Sequence, residues 1–231
     1  MKSKTIIQIG LGIVIVALAV VLYNSIMKPV RFENEYNKRR EACAEKLKAI
    51  RTLEEAYKVT YTCYTGSFDT LFTRLLTEDS MKVISKSINY DKIPADVDIN
   101  EISELEAIKL GYVTRGEILI NPIAKLREDG KLPITDINGH VRQMTDEEIL
   151  NLRYVPYPKG EKYDFKLEAG TVQQSGYQVP VFMCSVDMND LLADMDKQQV
   201  INKIAELDHA KKFIGWKVGD MTQPIVDGNF E

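Results

Sequence analysis

The sequence predicts an α+β protein: an N-terminal transmembrane helix continues into a long amphipathic helix, which packs on a small antiparallel sheet with short peripheral helices. Three observations support this fold class. An uncharged apolar segment lies near the N-terminus, a helical period follows it, and alternating strand patterns occur between residues 152 and 186. The predicted divisions are a transmembrane anchor (1–27), a helical stalk (28–62) and a globular domain (63–231).

The apolar segment is long enough to span a bilayer. No charged residue or histidine occurs between Lys4 and Lys28, and residues 6–22 are almost all Ile, Val, Leu and Ala. A helix rises about 1.5 Å per residue and the hydrocarbon core is about 30 Å thick, so about 20 residues suffice. We therefore expect residues 6–22 to contact membrane lipid as a single-pass anchor.

Two features of the anchor stay open. A cleaved signal peptide is the alternative, since basic residues precede the segment and residues 17–19 (Ala-Leu-Ala) resemble a cleavage site. The apolar run continues to Leu22, which favours a retained anchor. Lys2 and Lys4 precede the span and five basic residues follow it closely. Because Lys and Arg tend to stay on the cytoplasmic side, these counts do not favour one orientation. We expect a signal anchor with its N-terminus inside and its domain outside the cytoplasm.

Residues spaced by seven mark the helix that follows. Tyr36, Cys43, Ile50 and Tyr57 form an apolar stripe between charged residues, which predicts a helix with one buried side. The stripe is predicted to pack on the chain's own domain. A self-associating coiled coil, giving a homo-oligomer through the stalk, is the alternative. Pro29 should kink the rod or start a new helix.

The two halves of this stripe are expected to differ in exposure. The first half of the stalk has to extend away from the membrane, so Tyr36 and Cys43 should be largely exposed. The second half, with Ile50, Leu53 and Tyr57, should pack against the sheet. An exposed apolar stripe marks an interaction site, so the predicted protein-binding residues are Phe32, Tyr36 and Cys43.

Cap residues predict the short helices of the domain. Each prediction rests on a side chain or a proline that suits a helix start. The predicted helices are 68–76 after Ser67, 101–110 between Asn100 and Gly111, one between Asn121 and Gly130, and one after a capping box at Thr145.

The sheet is predicted from alternation. Residues 152–155, 163–169 and 178–186 resemble strands whose connections are too short for crossovers, so the sheet should be antiparallel. Residues 117–120 should form a short buried strand, and residues 81–88 fit a strand or a helix. A surface helix over the sheet is expected at 191–207, and Trp216 is expected in the core.

Three cysteines are present. Cys43 and Cys63 would lie about 30 Å apart on one helix, beyond the reach of a disulfide. Cys63 could meet Cys184 on a strand, but buried free thiols are favoured because no short-spaced pair occurs.

No catalytic, cofactor or metal site is predicted. His140 and His209 are the only histidines, and neither belongs to a metalloprotease or nucleophile-elbow motif. Asp96, Asp98 and Asn100 resemble half of a calcium loop, but the required later Gly and Glu are absent. The net charge of −4 argues against a nucleic-acid surface.

One resemblance follows from the N-terminal third. The uncharged helix, the charged segment 46–58 and the Tyr-Thr-Gly-Ser turn at 64–67, followed by an antiparallel sheet, resemble type IV pilins and type II secretion pseudopilins. Residues 1–5 lack the processing motif of that family, and no Glu lies just inside the apolar segment. The resemblance implies a pilin-like protein that stays anchored in the membrane.

These observations yield three hypotheses. The first is a non-enzymatic cell-envelope protein that acts as a scaffold or protein-interaction component of a membrane complex. The second is a pilin-like subunit of a secretion or pilus system. The third is an enzyme of unknown type, supported only if a polar pocket gathers carboxylates or His140.

Overall fold

The computed structural model describes residues 2–94, 98, 102–136, 139–157 and 162–230, with the backbone alone for residues 2–7. It has the predicted α+β class, with one long N-terminal helix and small antiparallel sheets. The helices are α1 (Lys2–Tyr61), α2 (Phe68–Thr77), α3 (Glu104–Lys109), α4 (Pro122–Glu128), α5 (Asp146–Leu150), α6 (Met188–Leu191) and α7 (Lys197–His209). The strands are β1 (Met81–Ile88), β2 (Val113–Ile120), β3 (Pro133–Thr135), β4 (Val141–Gln143), β5 (Lys166–Gln174), β6 (Tyr177–Asp187) and β7 (Gly215–Gly219).

Helix α1 runs for 60 residues and includes Pro29. No second helix starts at this proline. The side chains of residues 8–26 are exposed, whereas those on one face from Phe32 onward are buried. One continuous helix therefore has two parts: a bare half, residues 8–26, whose side chains are exposed, and a packed half, residues 32–61, with one buried face.

A tight turn ends α1. Thr62 has a positive φ of 63°, and its N–H donates to the carbonyl of Lys58 at 2.7 Å. The chain then reverses and buries Tyr64 against Phe182, with 4.7 Å between the ring centroids. Ser67 caps α2 as predicted, because its hydroxyl accepts a backbone N–H of the first turn.

Other predicted caps are also confirmed. Asn121 caps α4 with Pro122 in the first turn, and Thr145 forms a capping box with Glu148 at the start of α5. Helix α3 begins later than expected and is capped by Ser103. The cap predicted at Asn100 lies outside the described residues.

The described residues form three sheets, all antiparallel. They are a two-stranded sheet of β1 and β2, whose strands are connected through α3; the β3–β4 hairpin; and a three-stranded sheet of order β5–β6–β7. The strand predicted at 152–155 is wrong: Asn151–Arg153 forms a turn of 3-10 helix, and Tyr154 makes only a single bridge to Asp164. The third strand is instead β7, from the C-terminal part of the chain.

Two glycines allow β7 to approach β6. Gly215 and Gly219 have φ values of 146° and 76°, which disfavour residues with a Cβ. An added Cβ would collide with the carbonyl oxygen of Val186 at Gly215, and with that of Phe182 at Gly219. The close approach places Trp216 and Val218 against the core.

One hydrophobic core joins α1 to the domain. Strands β6 and β7 supply Phe182, Cys184, Val186, Trp216 and Val218. The packed face of α1 supplies aromatic and aliphatic side chains over its whole second half: Phe32, Tyr36, Cys43, Leu47, Ile50, Leu53 and Tyr57.

The expected exposure of Tyr36 and Cys43 is wrong. Tyr36 is 4% exposed and Cys43 is fully buried, as Ile50 is. Both side chains are buried because residues 188–219 pack against the first half of the stalk. The ring centroid of Trp216, for example, lies 6.2 Å from that of Tyr36. The packing of the stripe on the chain's own domain is thus confirmed, and a free stalk is excluded.

Two smaller expectations also differ. The helix expected at 191–207 is divided into α6 and α7, because Asp196 caps a new helix after a turn. Residues 117–120 form part of β2 but are mostly exposed, since β1 and β2 project with little cover.

The packing makes the first half of the stalk as important for stability as the second. Tyr36→Ala and Ile50→Ala should each reduce the free energy of unfolding by about 2–5 kcal/mol, because each removes a buried side chain. Tyr177→Ala is the matched control, since Tyr177 is exposed at the start of β6. Urea unfolding of the full chain in mild detergent, followed by circular dichroism, measures the change. An unchanged midpoint for Tyr36→Ala would mean that this half of the stalk is free.

Candidate functional site

The bare half of α1 is the first candidate. It has a mean hydropathy of 2.4 over 18 residues, none of them buried inside the chain. By length and composition it can cross a membrane, and a signal sequence near an N-terminus has the same properties. Because the apolar side chains face outward on every side of the helix, the domain does not supply their environment.

The helix meets the domain just after this segment. A groove of about 250 Å³ lies there, between Lys28, Arg31 and Phe32 of α1 and Met195 and Gln199 near the start of α7. Phe32 is the first fully packed side chain of α1. The junction between bare and packed helix is therefore about one helical turn long.

The three predicted interaction residues lie inside the domain's core. Phe32 stacks on Tyr36, with 6.3 Å between ring centroids, and the ammonium of Lys203 lies 5.0 Å from the centroid of the Tyr36 ring. Burial raises the pKa of Tyr36 to about 12. Cys43 lies deeper still. Their predicted role in binding a partner stays a prediction, while in the folded chain they join α1 to the domain.

A buried arginine, Arg39, joins this part of α1 to residues 191–194. The Arg39 guanidinium donates hydrogen bonds to the carbonyl of Leu191 at 2.9 Å and to both carboxylate oxygens of Asp194. It also donates to a carboxylate oxygen of Glu35 at 3.3 Å. Burial alone would lower the pKa of Arg39, but the bonds and charges of Asp194 and Glu35 raise it. The guanidinium therefore stays charged inside the interface.

Lys46 joins α1 to the middle of the domain. Its ammonium donates to the carbonyls of Asn151 at 3.0 Å and Tyr154 at 2.7 Å. Burial lowers the pKa of Lys46. These bonds hold the 3-10 turn against the helix where the sequence predicted a strand.

Glu54 is the most unusual charged residue of the interface. It is fully buried on α1; one carboxyl oxygen accepts the N–H of Thr65 at 3.1 Å, and the other has no hydrogen-bond partner among the described residues. Burial raises the pKa of this carboxyl to about 8, although the Thr65 N–H lowers it in part. Glu54 therefore holds a proton at neutral pH.

The cysteines are all free. Cys43 and Cys184 are buried and Cys63 is exposed, so the pairing of Cys63 with Cys184 does not occur. Burial raises the pKa of Cys43 to about 12 and that of Cys184 well above its usual value. The two buried thiols are therefore poor nucleophiles.

A groove of about 560 Å³ runs between α1 and the β3–β4 hairpin. Its floor is apolar, with Leu132, Ile134, Val141 and Met144 among its lining side chains, and Lys48 lies along its helical side. Such a surface suits an apolar ligand or peptide better than a reaction that needs converging charges.

Few groups with catalytic potential are gathered in one place. His140 is exposed beside Asp136, with 3.6 Å between Nδ1 and the nearest carboxylate oxygen. Within the described ranges, no group of three His, Cys, Asp or Glu side chains is placed to hold a metal ion. Asp96 and Asn100 of the incomplete calcium motif lie outside those ranges.

Comparison of the chain with family models, curated proteins and solved structures returns no match. The pilin resemblance therefore has only coarse support, from a long N-terminal apolar helix followed by small antiparallel sheets.

The buried charges share the seven-residue period of the apolar stripe. Glu54 lies seven residues after Leu47 and seven before Tyr61, and Arg39 lies seven after Phe32. A charge that shares its helix face with apolar residues is a candidate for burial. Which partner would satisfy it is not visible in the sequence, because Asp194 lies 155 residues from Arg39.

Glu54 should make stability depend on pH. Its pKa rises from 4.5 to about 8 on folding, so the unfolded chain releases this proton from about pH 4.5 while the folded chain keeps it. Stability is therefore lost as pH rises between these values, by on the order of a few kcal/mol. Glu54→Gln should remove this loss.

The measurement compares unfolding free energies at pH 5 and pH 8. Glu54→Gln should become more stable relative to the wild type as pH rises, and Glu55→Gln, at an exposed neighbouring position, should not. A constant difference between wild type and Glu54→Gln across this range would show that the carboxyl titrates normally.

Proposed function

We propose that this protein is a non-enzymatic, membrane-anchored component of the cell envelope whose domain binds other proteins. The observation that supports it most directly is the division of α1 into a bare apolar half and a half buried against the domain. In water, each exposed apolar Å² of the bare half would cost about 25 cal/mol. A bilayer removes that cost.

The same helix sets the position of the domain. Phe32 lies five residues after Met27, which corresponds to about 8 Å along a helix. Packing with the domain thus begins almost where the apolar segment ends. We propose that the domain lies directly on the membrane surface rather than at the end of a free stalk.

The basic residues before the apolar helix support one orientation for this proposal. A short basic N-terminus before an apolar helix is typical of a signal anchor, which leaves the domain outside the cytoplasm. Protease added to intact cells should therefore cleave the domain. Protection of the domain until the membrane is opened would reverse the orientation.

Two charges in the bare half should prevent anchoring. Val14→Arg with Leu18→Arg should move the protein from the membrane to the soluble fraction after alkaline extraction, because each arginine costs about 3 kcal/mol in a bilayer centre. Val14→Ile with Leu18→Ile is the matched control and should stay in the membrane. Both positions are exposed, so the domain should fold equally in both variants.

Intact mass of the membrane-bound protein separates anchor from signal peptide. The retained anchor requires the full N-terminal segment. A protein shortened by about 19 residues would show cleavage after the Ala-Leu-Ala sequence. In that case membrane binding through residues 6–22 would be overturned.

A pilin-like subunit is the second candidate. It is supported by the packing of one long helix against an antiparallel sheet, the plan that the resemblance implies. Copurification with filaments or a secretion complex would favour it. Proximity labelling in the native membrane that recovers stable partners without filaments would favour the first proposal.

A further inference from the structure

The β1–β2 sheet, whose strands are connected by residues 89–112, has little cover in the described structure. Its register runs from Met81 opposite Ile120 to Ile88 opposite Val113, and one end joins the core through Met81. Further along, Ile84, Ile118 and Leu119 are 65%, 46% and 58% exposed. An isolated two-stranded hairpin is marginal in water, so a third strand would stabilise it.

The outer edge of β2 is open to such a strand. Among the described residues, β2 pairs only with β1, so alternate N–H and C=O groups point outward along eight residues. Open edges of this kind accept an added strand through main-chain hydrogen bonds. Residues 114–119 are exposed on this strand.

The two edges of the β1–β2 sheet differ in charge. On β1, Lys82 and Lys86 would face each other if two β1 strands paired antiparallel about Ile84, and like charges in that position repel. On β2, Arg115 and Glu117 flank Gly116. Antiparallel pairing of two β2 strands about Gly116 would place Arg115 of each copy opposite Glu117 of the other.

We propose that β2 pairs antiparallel with β2 of a second copy of this chain, centred on Gly116, to form a continuous four-stranded sheet. The arrangement is two-fold symmetric, as closed dimers require. It also places Thr114 opposite Ile118 and Val113 opposite Leu119, which covers part of the exposed apolar surface.

The charges fit this arrangement. Arg115 contacts Glu104 of its own chain at 2.7 Å, and a guanidinium has enough donors to bridge a second carboxylate. Glu117 has no ion-pair partner within 4 Å among the described residues. In the proposed pairing, Arg115 of the second copy supplies that ion-pair partner. The proposal rests on the β1–β2 sheet alone and holds whether or not α1 crosses a membrane.

Cysteine cross-linking of the full chain tests the register. In a Cys63→Ser background, Gly116→Cys should give a disulfide-linked dimer under mild oxidation, because the two positions face each other. An added Cβ at Gly116 meets no atom within 4 Å, so the substitution is tolerated. Thr114→Cys is the matched control: its two copies would lie about 14 Å apart, beyond the roughly 7 Å limit for a disulfide.

Charge exchange tests the pairing independently. In the Gly116→Cys background, Arg115→Glu alone and Glu117→Arg alone should each lower the dimer yield at least about tenfold, since like charges then face each other. Coexpression of the two variants should restore a mixed dimer, because every facing pair is again opposite in sign. Circular dichroism of each variant checks the fold.

Three results would overturn the proposal. They are an absence of cross-linked dimer with Gly116→Cys, equal cross-linking with Thr114→Cys, or an adduct whose mass includes a different protein. Repeating the cross-linking with Val14→Arg and Leu18→Arg separates this proposal from membrane anchoring. The dimer should persist in that soluble variant.

Discussion

The burial of one face of α1 against the rest of the chain is the constraint on which the structure depends. The two-stranded sheets β1–β2 and β3–β4 would be marginal alone, and the largest sheet among the described residues has three strands, two of which contact α1. Helix α1 contributes a row of side chains from Phe32 to Tyr57, and both β6 and β7 pack on it. The domain is therefore built around the helix instead of being carried at its end.

Charged groups within that contact make it specific. Arg39 is bound to Asp194 and to a carbonyl of α6, and Lys46 is bound to two carbonyls of the 3-10 turn. Buried charges that lose their partners are costly, so sliding or rotating the helix would leave several of them unsatisfied. Apolar contacts alone would tolerate such shifts more easily.

The same helix links the domain mechanically to its N-terminal half. Helix α1 is continuous and is packed from Phe32 onward, so only about one helical turn separates the apolar segment from the domain. This arrangement gives the proposed anchor little freedom to reorient the domain. In the β1–β2 sheet, by contrast, residues 114–119 of β2 stay exposed.

Local features of the fold were determined by the sequence alone. The apolar segment, the seven-residue stripe, the caps at Ser67, Asn121 and Thr145, and the short antiparallel connections depend on residues close together in the chain. Contacts between distant segments were decided only by the tertiary structure. Strand β7 depends on glycines pressed against β6, and Tyr36 is buried because Trp216 returns from 180 residues away. Periodicity shows that a side chain has a buried face, but the packing of the whole chain decides what covers it.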